Sequence, residues 1–116
     1  MNKHEFHNLI SRIEKDINEL YVEINVIDDV GLLLALGDEF ADKPEYGVRF
    51  YDRAIAVDPA NLRAILSAGF CYLLAGNDLD AYYMLRRARE IDPTNEDVKK
   101  LAASVLSPTS RLPRDI

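Results

Sequence analysis

What the chain lacks narrows it first. A single cysteine, Cys71, in 116 residues excludes an internal disulfide and any cysteine-rich metal site. No apolar run approaches the roughly 18 residues that a membrane span needs, so no membrane partner is expected. Met1-Asn2-Lys3-His4-Glu5 leads into a charged amphipathic stretch instead of a signal-peptide core, which makes a cytoplasmic protein the default expectation. Positive charge is short: 14 Lys and Arg against 20 Asp and Glu leave a net charge of −6. Phosphate binding wants a basic face, so nucleic acid is not expected as a partner either.

The usual catalytic and cofactor signatures are missing as well. There is no Gly-x-Gly-x-x-Gly and no phosphate loop, and no cofactor is expected. His4 and His7 are the only histidines, three apart with Glu5 between them. Residues i and i+3 share a helix face, so a weak metal site is conceivable, but the second histidine comes one residue early for His-Glu-x-x-His. An exposed helix end is the plainer reading. Cys71, between Phe70 and Tyr72, reads as a buried structural thiol, because a nucleophile needs a basic helper and both histidines lie far off in sequence. Asp38-Glu39 with Asp42, and Arg86-Arg87-Arg89, read as solvated faces; a docking site for an acidic or phosphate-bearing partner is the sharper reading of the arginines. The chain is not expected to be an enzyme.

What is present is a modest folded domain. About half the residues are apolar, 48%, too many for a disordered chain. The length fits one domain with a small core. Charge is uneven: residues 1–58 carry 6 basic and 13 acidic side chains, and residues 59–116 carry 8 and 7. An ordinary solvated surface accounts for the difference; an acidic half that steers a basic partner also would.

The chain also repeats itself. Ala54-Ile55-Ala56-Val57-Asp58-Pro59-Ala60-Asn61 is echoed by Ala88-Arg89-Glu90-Ile91-Asp92-Pro93-Thr94-Asn95, and the two prolines are 34 residues apart. Residues 62–95 place Ile65, Ala68, Gly69 and Tyr72 on one helix and Ala81, Leu85 and Ala88 on a second, ended by Pro93. Small residues at 68, 69, 81 and 88 let two helices approach closely, and Ala75-Gly76-Asn77-Asp78 forms the turn, with Gly76 able to take positive φ. Asn95 is placed to cap a following helix. This pattern resembles the tetratricopeptide repeat, whose helix–turn–helix unit has that period. Residues 30–61 form a poorer copy: Leu33, Leu36, Gly37 and Phe40 precede Gly47, Tyr51, Ala54 and Pro59. The turn around Asp42-Lys43-Pro44 is two residues shorter, and Gly47 replaces the usual alanine. A distorted first unit is expected, its first helix ending near Ala41 and its second starting near Pro44.

The expected fold is therefore all-α: antiparallel helix-hairpin repeats over 28–95 (28–61 and 62–95), an amphipathic helix over 1–27, a capping helix over 96–106 and a flexible tail over 107–116. The capping helix carries Val98, Leu101, Ala102 and Val105 at helical spacing. Phe6, Ile10, Ile13, Ile17, Leu20 and Ile24 follow a 4-3-4-3-4 spacing, the apolar seam of a coiled coil. Such a helix packs on the first repeat or pairs with a second copy. Two repeats are fewer than the three an independent array usually needs, so homodimerisation is an open alternative.

The resemblance implies a concave groove lined by the first helices of the repeats: Leu34, Asp38 and Ala41, then Arg63, Leu66, Phe70 and Leu73. Some members of the family grip a peptide's C-terminal carboxylate with lysines and asparagines on these faces. Here Arg63 is the lone cation, so burial of apolar side chains from another protein or peptide is the expected mode. Length, acidity and repeat pattern also resemble the small helical-repeat chaperones of bacterial type III secretion. A structural adaptor that self-assembles through its N-terminal helix is the competing class.

Overall fold

A computed structural model describes residues 2–108, 110 and 112, with the backbone alone at 19–21. Among the described residues there is no strand. The helices are α1 (Lys3–Lys15), a 3₁₀ turn (Ile17–Leu20), α2 (Tyr21–Asn25), α3 (Val30–Glu39), α4 (Pro44–Val57), α5 (Leu62–Leu74), α6 (Asp78–Ile91) and α7 (Glu96–Val105). None is long and apolar enough to cross a membrane. From α3 onward each helix packs on the next, and α7 reaches back to α5 as well. One core cluster runs from Ile13 to Val105. Filling it with a side chain such as Leu85, which is wholly buried, stabilises the fold by about 1.5–3 kcal/mol.

The repeated octapeptide builds the same corner twice. At Asp58 and at Asp92 the chain leaves its helix with nearly the same non-helical backbone angles, and each aspartate N–H donates back to the carbonyl of Ala54 or Ala88, at 2.8 and 3.0 Å. Proline cannot continue the helix beyond that point. Asn61 and Asn95 then start the following helices. The Asn61 side chain accepts from the Ala64 N–H at 2.9 Å, and that of Asn95 from Asp97 and Val98 at 2.8 and 3.3 Å. Ala54 and Ala88 are fully buried, as close helix approach requires.

The two inter-helix turns differ. Between α5 and α6, the Asn77 N–H donates to the Tyr72 carbonyl at 2.8 Å and the Gly76 N–H to Leu73 at 3.1 Å, with Gly76 at φ 84°. This is a Schellman closure, which needs a left-handed residue. Between α3 and α4 the shorter turn stays right-handed, and Lys43 N–H donates to the Phe40 carbonyl at 2.9 Å. The short link presses the first turn of α4 onto the end of α3. A Cβ on Gly47 would lie 3.1 and 3.2 Å from the carbonyl oxygens of Phe40 and Gly37, which is why glycine stands at this position. Phe40 stacks on Phe50, ring centroids 6.0 Å apart, and closes this end of the core.

The N-terminal segment departs from the sequence expectation. A single helix over 1–27 with one continuous seam is not formed. Asn2 caps α1, but Asp16 ends it: the residue is extended, and its carboxylate accepts the Asn18 N–H at 2.9 Å. Such an aspartate turn competes with helix propagation. The chain then folds back, so that Arg12 of α1 meets Glu23 of α2 at 2.9 Å. Arg53 Nε donates to the Ile27 carbonyl at 2.8 Å and ties the segment to α4. As a result Ile13, Ile17 and Ile24 lie in the chain's own core, where they cannot face a second copy, while Phe6 and Ile10 are half-buried against it. Leu20 falls outside the described side chains.

At the far end α7 buries Val98, Leu101 and Val105 against the α5–α6 pair. The tail is in part outside the described residues (109, 111 and 113–116). Its described part is not loose: the Ser110 hydroxyl donates to Asp78 at 3.3 Å, at the start of α6, and Leu112 packs against the core.

Candidate functional site

The residues expected to line a groove, Ala41 apart, are carried by α3 and α5, and the fold brings some of them together. Asn61 fixes the start of α5, which puts Arg63, Leu66 and Phe70 on the stripe nearest the start of α7. With Leu62, Ser67, Asn95 and Asp97 they line an open hollow of about 430 Å³. Asp38 joins this group through an ion pair with Arg63 across α3 and α5. The Asp38 carboxylate also accepts the Tyr51 hydroxyl of α4 at 2.6 Å, so three helices meet at one carboxylate. Burial, and then Asp38 itself, raise the Tyr51 pKa, so the phenol stays protonated as the donor. Arg63 is thereby oriented by its partner at the rim.

Other expected groove residues are placed differently. Leu34 and Leu66 are each only 7% exposed and belong to the core. The helix with two apolar faces is explained by its neighbours: α5 packs against α4, α6 and α7 at once. Leu66 is the floor of the hollow, not a projecting contact. Phe70 and Leu73 are half-buried, and Leu73 and Leu34 do not line the hollow. Ala41 is exposed in the turn beyond the end of α3, separate from it.

Two features had no sequence signal of their own. On the other side of the α4–α5 contact the Tyr72 hydroxyl donates to Asp52 at 2.7 Å. Desolvation beside Tyr72 raises the Asp52 pKa, with Asp80 adding repulsion, against the pull of that hydrogen bond and of Arg87. A second hollow of about 340 Å³ lies where α1 and α2 meet α3 and α4. Leu9, Ile24, Ile27 and Leu32 line it, with Glu5 and Arg12 at its mouth. It exists because the N-terminal segment bends at Asp16, which the 4-3 spacing does not reveal.

Burial pushes the Cys71 thiol up to about 11, with Asp52 and Asp38 adding to the shift, which keeps the sulfur a neutral thiol. His4 and His7 are exposed. Among the described residues no three His, Cys, Asp or Glu side chains are grouped to hold a metal ion. No protein-family model, curated protein or solved structure matches the chain.

Proposed function

We propose that this chain is a protein-binding module built from two tetratricopeptide-like repeats, α3–α4 and α5–α6, and that it takes an apolar side chain of a partner segment into the hollow around Phe70. The hollow carries the reading. It has an apolar floor at Leu66, a half-buried aromatic wall at Phe70, and a polar rim of Arg63, Ser67, Asn95 and Asp97. Binding sites of this kind pair an apolar anchor pocket with a few oriented polar groups. The repeat reading is supported by the two like corners at Asp58 and Asp92, each ending a helix of 14 residues. Its specific form is a holding role toward an apolar client segment, of the sort that small helical-repeat chaperones of type III secretion perform, and the acidic charge and short length favour it.

The test is a random peptide library displayed on phage and selected against the parent protein. Selected peptides are expected to share a large apolar residue. They are expected to bind Phe70→Ala at least roughly tenfold more weakly, the loss of about 1.4 kcal/mol or more that an aromatic anchor supplies. Peptides that bind Phe70→Ala as tightly as the parent contradict the proposal.

A further inference from the structure

The bend at Asp16 brings the 3₁₀ turn and α2 beside α4 and leaves a third hollow between them, of about 510 Å³. Asn18 and Asn25 line one side of it, and Arg49, Asp52 and Arg53 of α4 line the other. Ile24 and Ala56 supply its apolar part. Arg49 and Arg53 are four residues apart, so they share a face of α4, and both are half-buried. A guanidinium drawn out of solvent ordinarily finds an acceptor. Arg53 has one: its Nε donates to the Ile27 carbonyl at 2.8 Å, which orients the group and uses one of its five donors. Arg87, the third half-buried arginine among the described residues, donates to the Pro59 carbonyl. Arg49 has no acceptor among the described residues.

Acidic groups lie nearby, but among the described residues no carboxylate comes within 4 Å of Arg49 or Arg53. Asp52 lines the hollow and accepts the Tyr72 hydroxyl of α5 at 2.7 Å. Asp16 accepts the Asn18 N–H at 2.9 Å, which places Asn18 at the edge. Glu45, one turn before Arg49, and Asp28, beside the Ile27 carbonyl, are exposed and outside the lining. Two guanidinium groups against one carboxylate leave the lining positive in a chain of net charge −6. Two arginine forks one turn apart match an acceptor with several oxygens. One fork satisfies a carboxylate, whereas a phosphate has oxygens for both. The hollow is larger than a phosphate group, and Ile24 and Ala56 line the remainder.

We propose that this hollow binds a small phosphate monoester, its phosphate held by Arg49 and Arg53 with the Asn18 amide beside them, and its organic body against Ile24 and Ala56. Binding is modest and sensitive to salt, because the site is open to solvent and Asp52 offsets part of its charge. It shares no residue with the hollow at Phe70 and does not depend on what binds there.

Nuclear magnetic resonance titration of the full chain with phenyl phosphate, at fixed ionic strength set by sodium chloride, tests it. The Nε–H signals of Arg49 and Arg53 and the side-chain amide of Asn18 are expected to shift and saturate in the millimolar range, since exposed ion pairs are individually weak. Arg49→Gln removes a fork and is expected to weaken binding about tenfold. Asn18→Asp sets a negative charge at the edge of the hollow and is expected to weaken it too. Asn18 is exposed, so this variant decides the matter if Arg49→Gln disturbs the thermal melt. Arg86→Gln, on the exposed side of α6, is expected to bind like the parent. Inorganic phosphate, titrated in parallel, is expected to bind more weakly, because it has no body to cover Ile24 and Ala56; equal binding overturns the ester. Shifts that never saturate overturn the site itself. So does a folded Arg49→Gln or Asn18→Asp variant that binds phenyl phosphate as tightly as the parent.

Discussion

The α3–α4 and α5–α6 pairs leave their second helices by the same corner yet close their first helices differently. In α5–α6 a left-handed glycine, Gly76, seals the turn, and the close contact at Gly69 is made with Leu101 of α7 and Met84 of α6. In α3–α4 the turn is shorter and right-handed, and the close contact is inside the pair: a Cβ on Gly37 would lie 2.5 Å from the Tyr51 ring. One pair uses its glycine to receive a following helix, and the other to admit its own tyrosine. The difference follows from turn length. A short link forces α4 against the end of α3, and only glycines at 37 and 47 leave room.

The sharpest way to break this comparison is a methyl group at each glycine. Gly37→Ala is expected to cost about 1–3 kcal/mol by overpacking, because the buried Tyr51 ring is rigid and held by its bond to Asp38. Gly69→Ala is expected to cost less. Its nearest obstacle, at 2.7 Å, is a methyl of Leu101 that can rotate, and alanine gains helix propensity. The larger Gly69→Leu must also displace Met84, and is expected to lose about 1–3 kcal/mol. Thermal melts of the three variants check the order; equal costs at 37 and 69 would erase the distinction between the pairs.

A smaller effect separates the turns. Gly76→Ala forces a side chain into positive φ and is expected to cost about 1 kcal/mol. No residue between Phe40 and Lys43 has positive φ, so Ala41→Gly is expected to bring no comparable gain. Denaturant midpoints of the two variants measure this.

The smallest expected effect is electrostatic. The folded Asp52 carboxyl titrates above its ordinary value of 3.8, so its protonated form is the one the fold prefers. The parent is therefore expected to gain stability relative to Asp52→Asn as pH falls through the raised pKa toward 3.8, and to lose that gain as pH rises. Paired melts across that range check the sign. A parent that loses ground to the asparagine variant on acidification would mean that the bond from Tyr72 outweighs desolvation.

Much of this was legible in the residues. The Asp-Pro-x-Asn echo located both corners, Gly76 located a turn, Asn95 located the start of α7, and the small residues at 68, 81 and 88 lie buried in the α5–α6 pair, whereas the tightest approach at Gly69 is to Leu101 of α7 and not to α6. These signals are local: each is a residue type tied to one backbone conformation. The break at Asp16 was not legible, because the apolar 4-3 spacing runs straight through it and a single aspartate does not ordinarily end a helix. The burial of Leu66 was hidden for another reason. Periodicity shows that α5 has two apolar faces, but whether a neighbour covers the second depends on where α7 lies. The Tyr51–Asp38–Arg63 group was half visible: Asp38 and Arg63 were expected on neighbouring helix faces, but Tyr51, which also bonds to Asp38, was read only as a second-helix position of the repeat.

The central claim is that the hollow at Phe70 binds and the core at Leu85 only folds. The direct measurement is calorimetric affinity for one library-selected peptide, alongside thermal melts, on the same preparations of parent, Phe70→Ala and Leu85→Ala. Leu85 is fully buried, so Leu85→Ala is expected to lose about 2–5 kcal/mol of stability by opening a cavity, while still binding the peptide at a temperature where it is folded. Phe70→Ala is expected to lose more in affinity than in stability. If Phe70→Ala instead loses stability and keeps its affinity, the hollow is part of the core and the binding face lies elsewhere.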